Sequence, residues 1–505
     1  GAIWWRCINN ETGLWKYMIP FGEWLPDQAP LNSSGATVAT NVIAAARGYR
    51  PFLGLATLSQ AADAYLRGFF ATVDSAGTVH LFAGNATKLL KFNASTAALD
   101  DVKSGAYTLS SKDQWKFVQF GTSVYAASGL SNALQKYTLG SSSAFANVSG
   151  SPNAKFLAVI RDFVVTAHVN YSSNTHPSRV RWSQINDADS WTIGTNQADI
   201  QDIPDAGNIT GLVGGDFGVV LLERGIARMQ YVGSPLIFTF DMVETGHGCD
   251  IPNSIAALAP TQIFYLASDG FFMFNGERSI PIGSEKVDEF FLNDASPHEL
   301  DRLSCSIDPE NQVVAWSYVS NESSTGAPNK IIMYNYAVGR WSLAELDHEF
   351  IGTIISPSFT LEALATISSS IDGLGTSLDS RFFRGGQSAF AASSSSKIAS
   401  FTGEALAATL ETAEFEPAKL KKSLVKSVTP YVTSKDVAPT LTVQVGSRSR
   451  QIDTVAFTAT ANLNTDNFVP IRSNGRYHRV RVNASGGTWR YALGVDVETA
   501  SLGRR

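Results

Sequence analysis

Cysteine is almost absent from this chain. Three residues, Cys7, Cys249 and Cys305, occur in 505, with no CxxC pair. That excludes a disulfide-stapled scaffold and a zinc ribbon. Charge is also sparse, at 17% of residues against 44% hydrophobic. A disordered, highly solvated chain is therefore excluded. No apolar run approaches the ~20 residues of a membrane-spanning helix. The opening Gly1-Ala2-Ile3-Trp4-Trp5-Arg6 lacks the layout of a signal peptide. Net charge is −6, so sequence-specific DNA binding, which draws most of its affinity from neutralised phosphates, is disfavoured.

Catalytic signatures are missing as well. There is no GxxxxGK[ST] phosphate loop, no GxSxG elbow and no HExxH helix. His247-Gly248-Cys249 pairs a thiol with an imidazole in sequence, but adjacent turn residues reach each other poorly and no third group is evident. Asn186-Asp187-Ala188-Asp189-Ser190-Trp191 resembles a calcium loop or an Asp-box turn, without the Gly and distal Glu of an EF-hand. It reads as a turn capped by its own carboxylates. No catalytic, cofactor-binding or metal-ligating residue is assigned.

What is present is β-structure. Runs such as Thr78–Phe82, Trp115–Phe120, Phe156–Ile160, Val219–Glu223 and Ile263–Leu266 alternate with Gly, Asp and Asn turns. Gly77, Gly121, Asp162, Asp216, Thr261 and Asn311 mark comparable points at intervals of about 40–55 residues, the period of a β-propeller blade. The expected fold is all-β: a propeller over 46–403 with about seven blades, six to eight being compatible with the period. A pair of β-sandwiches is the competing reading. Residues 355–403 are Ser- and Gly-rich. A short helix is expected over Leu361–Ile371, and Ser388–Phe390 and Lys397–Phe401 are candidate closing strands.

Two flanking regions differ. Residues 1–45 carry Trp4, Trp5, Trp15, Phe21 and Trp24 among Pro20, Pro26 and Pro30. Proline at this spacing precludes one long helix and suggests an extended arm docking its aromatics, either on a neighbour or on its own domain. Residues 404–505 alternate as strands and suggest a small sandwich. Charge divides likewise. Residues 1–400 hold 25 Lys+Arg against 36 Asp+Glu, whereas 401–505 hold 14 against 9. In the latter, Lys419, Lys421, Lys422 and Lys426 follow Glu411, Glu414 and Glu416. Along Tyr477–Val482, Arg479 and Arg481 share the face opposite His478, Val480 and Val482. These basic residues either contact an acidic partner or form a solvated face paired with nearby carboxylates. Trp4, Trp5, Trp15, Trp24, Lys421, Lys422, Arg479 and Arg481 are the candidate partner contacts.

The order of several phrases carries a resemblance. Val180-Arg181-Trp182-Ser183 precedes Asn186-Asp187 and Ser190-Trp191, then Gln201–Asp205, Gly214-Gly215 and Glu223–Ile226. Ser268–Phe271, Phe274–Gly276, Ile282-Gly283, Glu285–Asp288, Tyr334-Asn335 and Gly339–Ser342 follow, with Phe21–Trp24 early and Arg476–Arg479 late. Together these resemble the tail nozzle or hub proteins of short-tailed phages, also described as packaged-DNA stabilisation or tail accessory proteins. The resemblance implies a virion structural protein without catalytic residues or cofactor. It implies a homo-hexameric ring below the portal-adaptor ring, meeting tail fibres or spikes. The channel would hold and then pass double-stranded DNA without sequence specificity. An extracellular glycan-binding or glycan-cleaving propeller is the alternative, and a protein-binding scaffold propeller a third.

Overall fold

The computed structural model describes residues 8–9, 14–31, 33–357, 364–365, 367–368, 370 and 386–502, the side chains of 8–9 and 14–17 excepted. The expected helix at Leu361–Ile371 lies mostly outside the described residues.

Seven four-stranded antiparallel blades form a propeller. Blades 1 to 5 occupy residues 69–101, 116–147, 153–202, 209–245 and 256–281 in succession. Blade 6 comprises Ser304–Asp308, Val313–Tyr318, Lys330–Asn335 and Arg340–Glu345. Blade 7 comprises Phe350–Ile355, Ser388–Ser394 and Lys397–Ser400, and its outer strand is the distant Ala56–Thr57. Residues from both parts of the chain thus close the ring.

Seven apolar clusters fill the interfaces. Phe82 and Val124 join blades 1 and 2, Tyr125 and Val164 join 2 and 3, and Phe163 and Val220 join 3 and 4. Val219 and Ile263 join 4 and 5, Phe264 and Trp316 join 5 and 6, Val313 and Ile351 join 6 and 7, and Leu81 and Ile354 join 7 and 1. A second strand is covered on both faces by neighbouring blades. Ser123–Ala127, Gly218–Leu222 and Val313–Tyr318 are accordingly buried at every position, which explains their nearly unbroken apolar runs.

The turns are built by side chains. Asp74 Oδ1 accepts the amides of Ala76 and Thr78, both at 2.9 Å, and Asn275 Oδ1 accepts those of Glu277 and Arg278 at 3.0 and 2.9 Å. Asp308 and Asn335 make similar bonds. These short polar side chains replace backbone turn bonds, so Asp and Asn punctuate the period. All six landmark turns fall between the first and second strands of blades 1 to 6. In blade 7 that connection is the long stretch 356–387.

A two-sheet unit adjoins the propeller. One sheet joins Leu14–Pro20, Trp489–Ser501, Ser423–Ser434 and Val469–Gly475, with Tyr49–Pro51 on Trp489–Ser501. The other is continuous with blade 6. Beyond Arg340–Glu345 come Ala36–Thr40, Ala408–Thr412, Tyr477–Ser485 and Thr440–Arg448. Ten strands thus run from propeller to sandwich. The expected arm is extended, but as strands: Leu14–Pro20 pairs along Trp489–Ser501 from Ala500 to Gly494. The boundary expected at 45/46 shifts, because Tyr49–Pro51 belongs with the sandwich sheet, while Lys397–Ser400 of blade 7 and Ala408–Thr412 of the second sheet lie on either side of 403/404.

Candidate functional site

The segment 21–28 joins the two units. Phe21 and Trp24 are 1% and 3% exposed and lie in the shared core of sandwich and blades 5 and 6. Trp24 meets Phe290 edge-on, with ring centroids 5.0 Å apart. Between them, a Cβ at Gly22 would lie 1.7 Å from the Ser34 carbonyl oxygen, so only glycine fits. Glu23 pairs with Lys286 at 2.7 Å, and Lys286 also donates to the Gly339 carbonyl. Asp27 accepts the amides of Glu289 and Phe290 at 2.9 and 2.7 Å. It thereby caps helix Asp288–Asp294, which has no side-chain cap of its own.

Arg340 completes this joint. Its guanidinium lies over the Tyr49 ring at 5.1 Å and donates to the carbonyls of Ala45 and Gly22. Tyr49 donates to the same Gly22 oxygen at 2.7 Å, and burial pushes its phenol well above the usual range. The neighbouring Trp341 Nε1 donates to Ile282 at 3.0 Å. Asp288 is held by the Phe271 amide, and burial raises its carboxyl to about 6. A Cβ at Gly283 would lie 1.9 Å from this carboxylate. The phrases Phe21–Trp24, Ile282-Gly283, Glu285–Asp288 and Gly339–Ser342 therefore meet in one place.

The structure reassigns several candidate contacts. Trp24 is core and presents no contact surface. Arg479 and Arg481 are spent internally: both donate to the buried Glu411, at 2.9 and 2.8 Å. Glu414, also buried, takes Arg448, and Glu416 takes Arg476 at 2.7 Å. The acidic run 411–416 thus neutralises the arginine ladder, and Arg481 stacks on Phe457 at 4.0 Å. Lys421 is exposed and Lys422 half-buried. Trp4 and Trp5 lie outside the described residues, as does the Trp15 side chain.

The weighed motifs also resolve into structure. Cys249 is fully buried, donates to the Ile251 carbonyl, and has its thiol pushed up to about 12 by burial. His247 instead meets Tyr265 and Asp269, both at 3.2 Å. Asp187 accepts the Asp189 amide, while Asp189 holds Tyr125 and Lys136 of blade 2. That turn ties two blades together.

Residue reasoning missed one feature. Inner strands of blades 2 to 5 wall a cleft of about 410 Å³. Lys116 lines it, bonded to Gln114 at 3.1 Å, and burial lowers its ammonium to about 8. Its strand, Lys116–Phe120, was legible; its place at the propeller axis required the ring. Among the described residues no helix is long and apolar enough to cross a membrane.

No family model and no curated protein matches this chain. Solved structures similar to it include the extracellular domain of a hybrid two-component system from B. thetaiotaomicron, at 10% identity and a TM-score of 0.41. That match covers 76% of this chain and 43% of the other. Another is apo AztD from Citrobacter koseri, at 11% identity and a TM-score of 0.29, covering 55% and 85% respectively.

Proposed function

We propose that this chain is a structural ring subunit, the tail nozzle of a short-tailed phage, which retains packaged double-stranded DNA and conducts it during ejection. One observation carries the reading. Four phrases of the nozzle resemblance, from three distant stretches of chain, converge where the sandwich is welded to the propeller. Turn phrases of an unrelated propeller have no reason to meet at a joint with a second domain. Such a joint suits a subunit that must pass load between ring neighbours.

Charge supports the same reading. Where residues 1–400 line the channel, their excess of acid would repel a duplex and keep its sliding cheap, since few counterions are released to hold it. With Arg479 and Arg481 neutralised, Lys419, Lys421 and Lys426 remain among the exposed basic groups of residues 401–505 for an acidic neighbouring ring to meet. The single Asp-box-like turn faces its own blades, so it lends the glycan reading no support.

Mass photometry and electron microscopy of the purified chain test the proposal. Six-fold rings of six 54.2 kDa subunits are expected, alone or on a portal-adaptor ring. A protein that stays monomeric under both conditions and instead binds glycans would overturn it.

A further inference from the structure

A second cleft opens where sandwich and propeller face each other, with a volume of about 360 Å³. This lies within the range of small-molecule sites, which favour domain interfaces. The sandwich contributes Arg50, Trp489, Arg490 and Tyr491, blade 6 contributes Asp308, and Phe52 and Phe401 come from the apolar cluster between blades 6 and 7. Its composition is aromatic on the walls and cationic in net charge.

Residues that line it carry unspent donors. Trp489 is 3% exposed, packs into the sandwich core, and its buried indole Nε1 has no hydrogen-bond partner. The buried Nε of Arg50 likewise has none. Arg490 is exposed and makes no ion pair among the described residues. A buried donor without an acceptor is unfavourable, and a guanidinium fork matches a planar oxyanion. Asp308 is already committed: its carboxylate accepts the amides of Glu310 and Asn311 and the Asn311 side chain. Its negative charge selects against a dianion.

We propose that this cleft binds a monoanionic carboxylate carried on a flat apolar body. The oxyanion takes the Arg50 and Trp489 donors, and the body lies among Phe52, Phe401 and Tyr491. The site needs only one chain, so it stands apart from the ring proposal.

Calorimetric titration of the full chain tests it. Sodium benzoate represents a free acid, and N-acetylphenylalanine a carboxylate at the end of a peptide; the tighter of the two identifies the source. Saturable binding at roughly millimolar concentration is expected. Trp489→Phe removes the N–H and keeps a ring, and Arg50→Gln removes the charge. Each is expected to weaken binding by about tenfold. Phenyl phosphate should bind more weakly than benzoate, and benzyl alcohol should not saturate. Melting curves identify folded variants; if Trp489→Phe does not fold, Arg50→Gln and Arg490→Gln carry the comparison. Failure of both carboxylates to saturate, unchanged affinity in every folded variant, tighter phenyl phosphate or equal benzyl alcohol binding would each overturn the proposal.

Discussion

Two histidines are buried without charge. His348 donates from Nδ1 to the Leu346 carbonyl and meets the Ser317 hydroxyl at 2.6 Å. His478 lies between the Ser423 and Ser447 hydroxyls, each at 2.8 Å. Burial lowers both to about 4 from 6.5. The unfolded chain therefore binds more protons than the native one between pH 6.5 and 4, and stability falls as pH drops through that window. Each histidine contributes on the order of 3 kcal/mol of loss. Asp288 runs the other way: its carboxyl, raised to about 6, gains a proton more readily in the native state and offsets part of the loss. Urea midpoints from pH 7 to 4.5 should decline. A flat profile would mean that the imidazoles are not held neutral.

Among the elements, the strand and turn at residues 14–28 change role most. Their aromatics suggest an arm for docking, and proline spacing cannot say whose surface receives it. The structure places Phe21 and Trp24 in the chain's own core. Trp24→Ala should therefore cost about 3–5 kcal/mol, since it removes a buried aromatic from a packed joint. Differential scanning calorimetry would register this as a lowered melting temperature. A variant that melts like the parent would place Trp24 outside the core.

On the scale of the molecule, propeller and sandwich share one ten-stranded sheet and one apolar cluster. Cutting at 403 would strip Ala408–Thr412 and Tyr477–Ser485 from that sheet, and loss of Ala36–Thr40 with residues 1–45 would leave Arg340–Glu345 as an unpaired edge. An isolated 46–403 fragment is expected to aggregate, despite containing every strand of the seven blades. Soluble expression with a cooperative melt would show that the propeller is independent of its neighbour.

Local pattern alone determined the all-β class, the blade period and the positions of six inter-strand turns. Each rests on interactions within a few residues, such as Asp74 bonding Ala76 and Thr78. Alternation likewise placed His478, Val480 and Val482 on the inner face, because strand side chains alternate whatever the sheet order. Tertiary structure decided what depends on partners distant in sequence. It chose seven blades by pairing Ala56–Thr57 with Lys397–Ser400. It turned Arg479 and Arg481 from a prospective contact surface into Glu411's counterions. It also brought Arg50 and Trp489 opposite Asp308 and Phe401 across one cleft. Those residues belong to four separate stretches of chain. No local periodicity records such a meeting, because sheet order and ring closure alone set the distance between them.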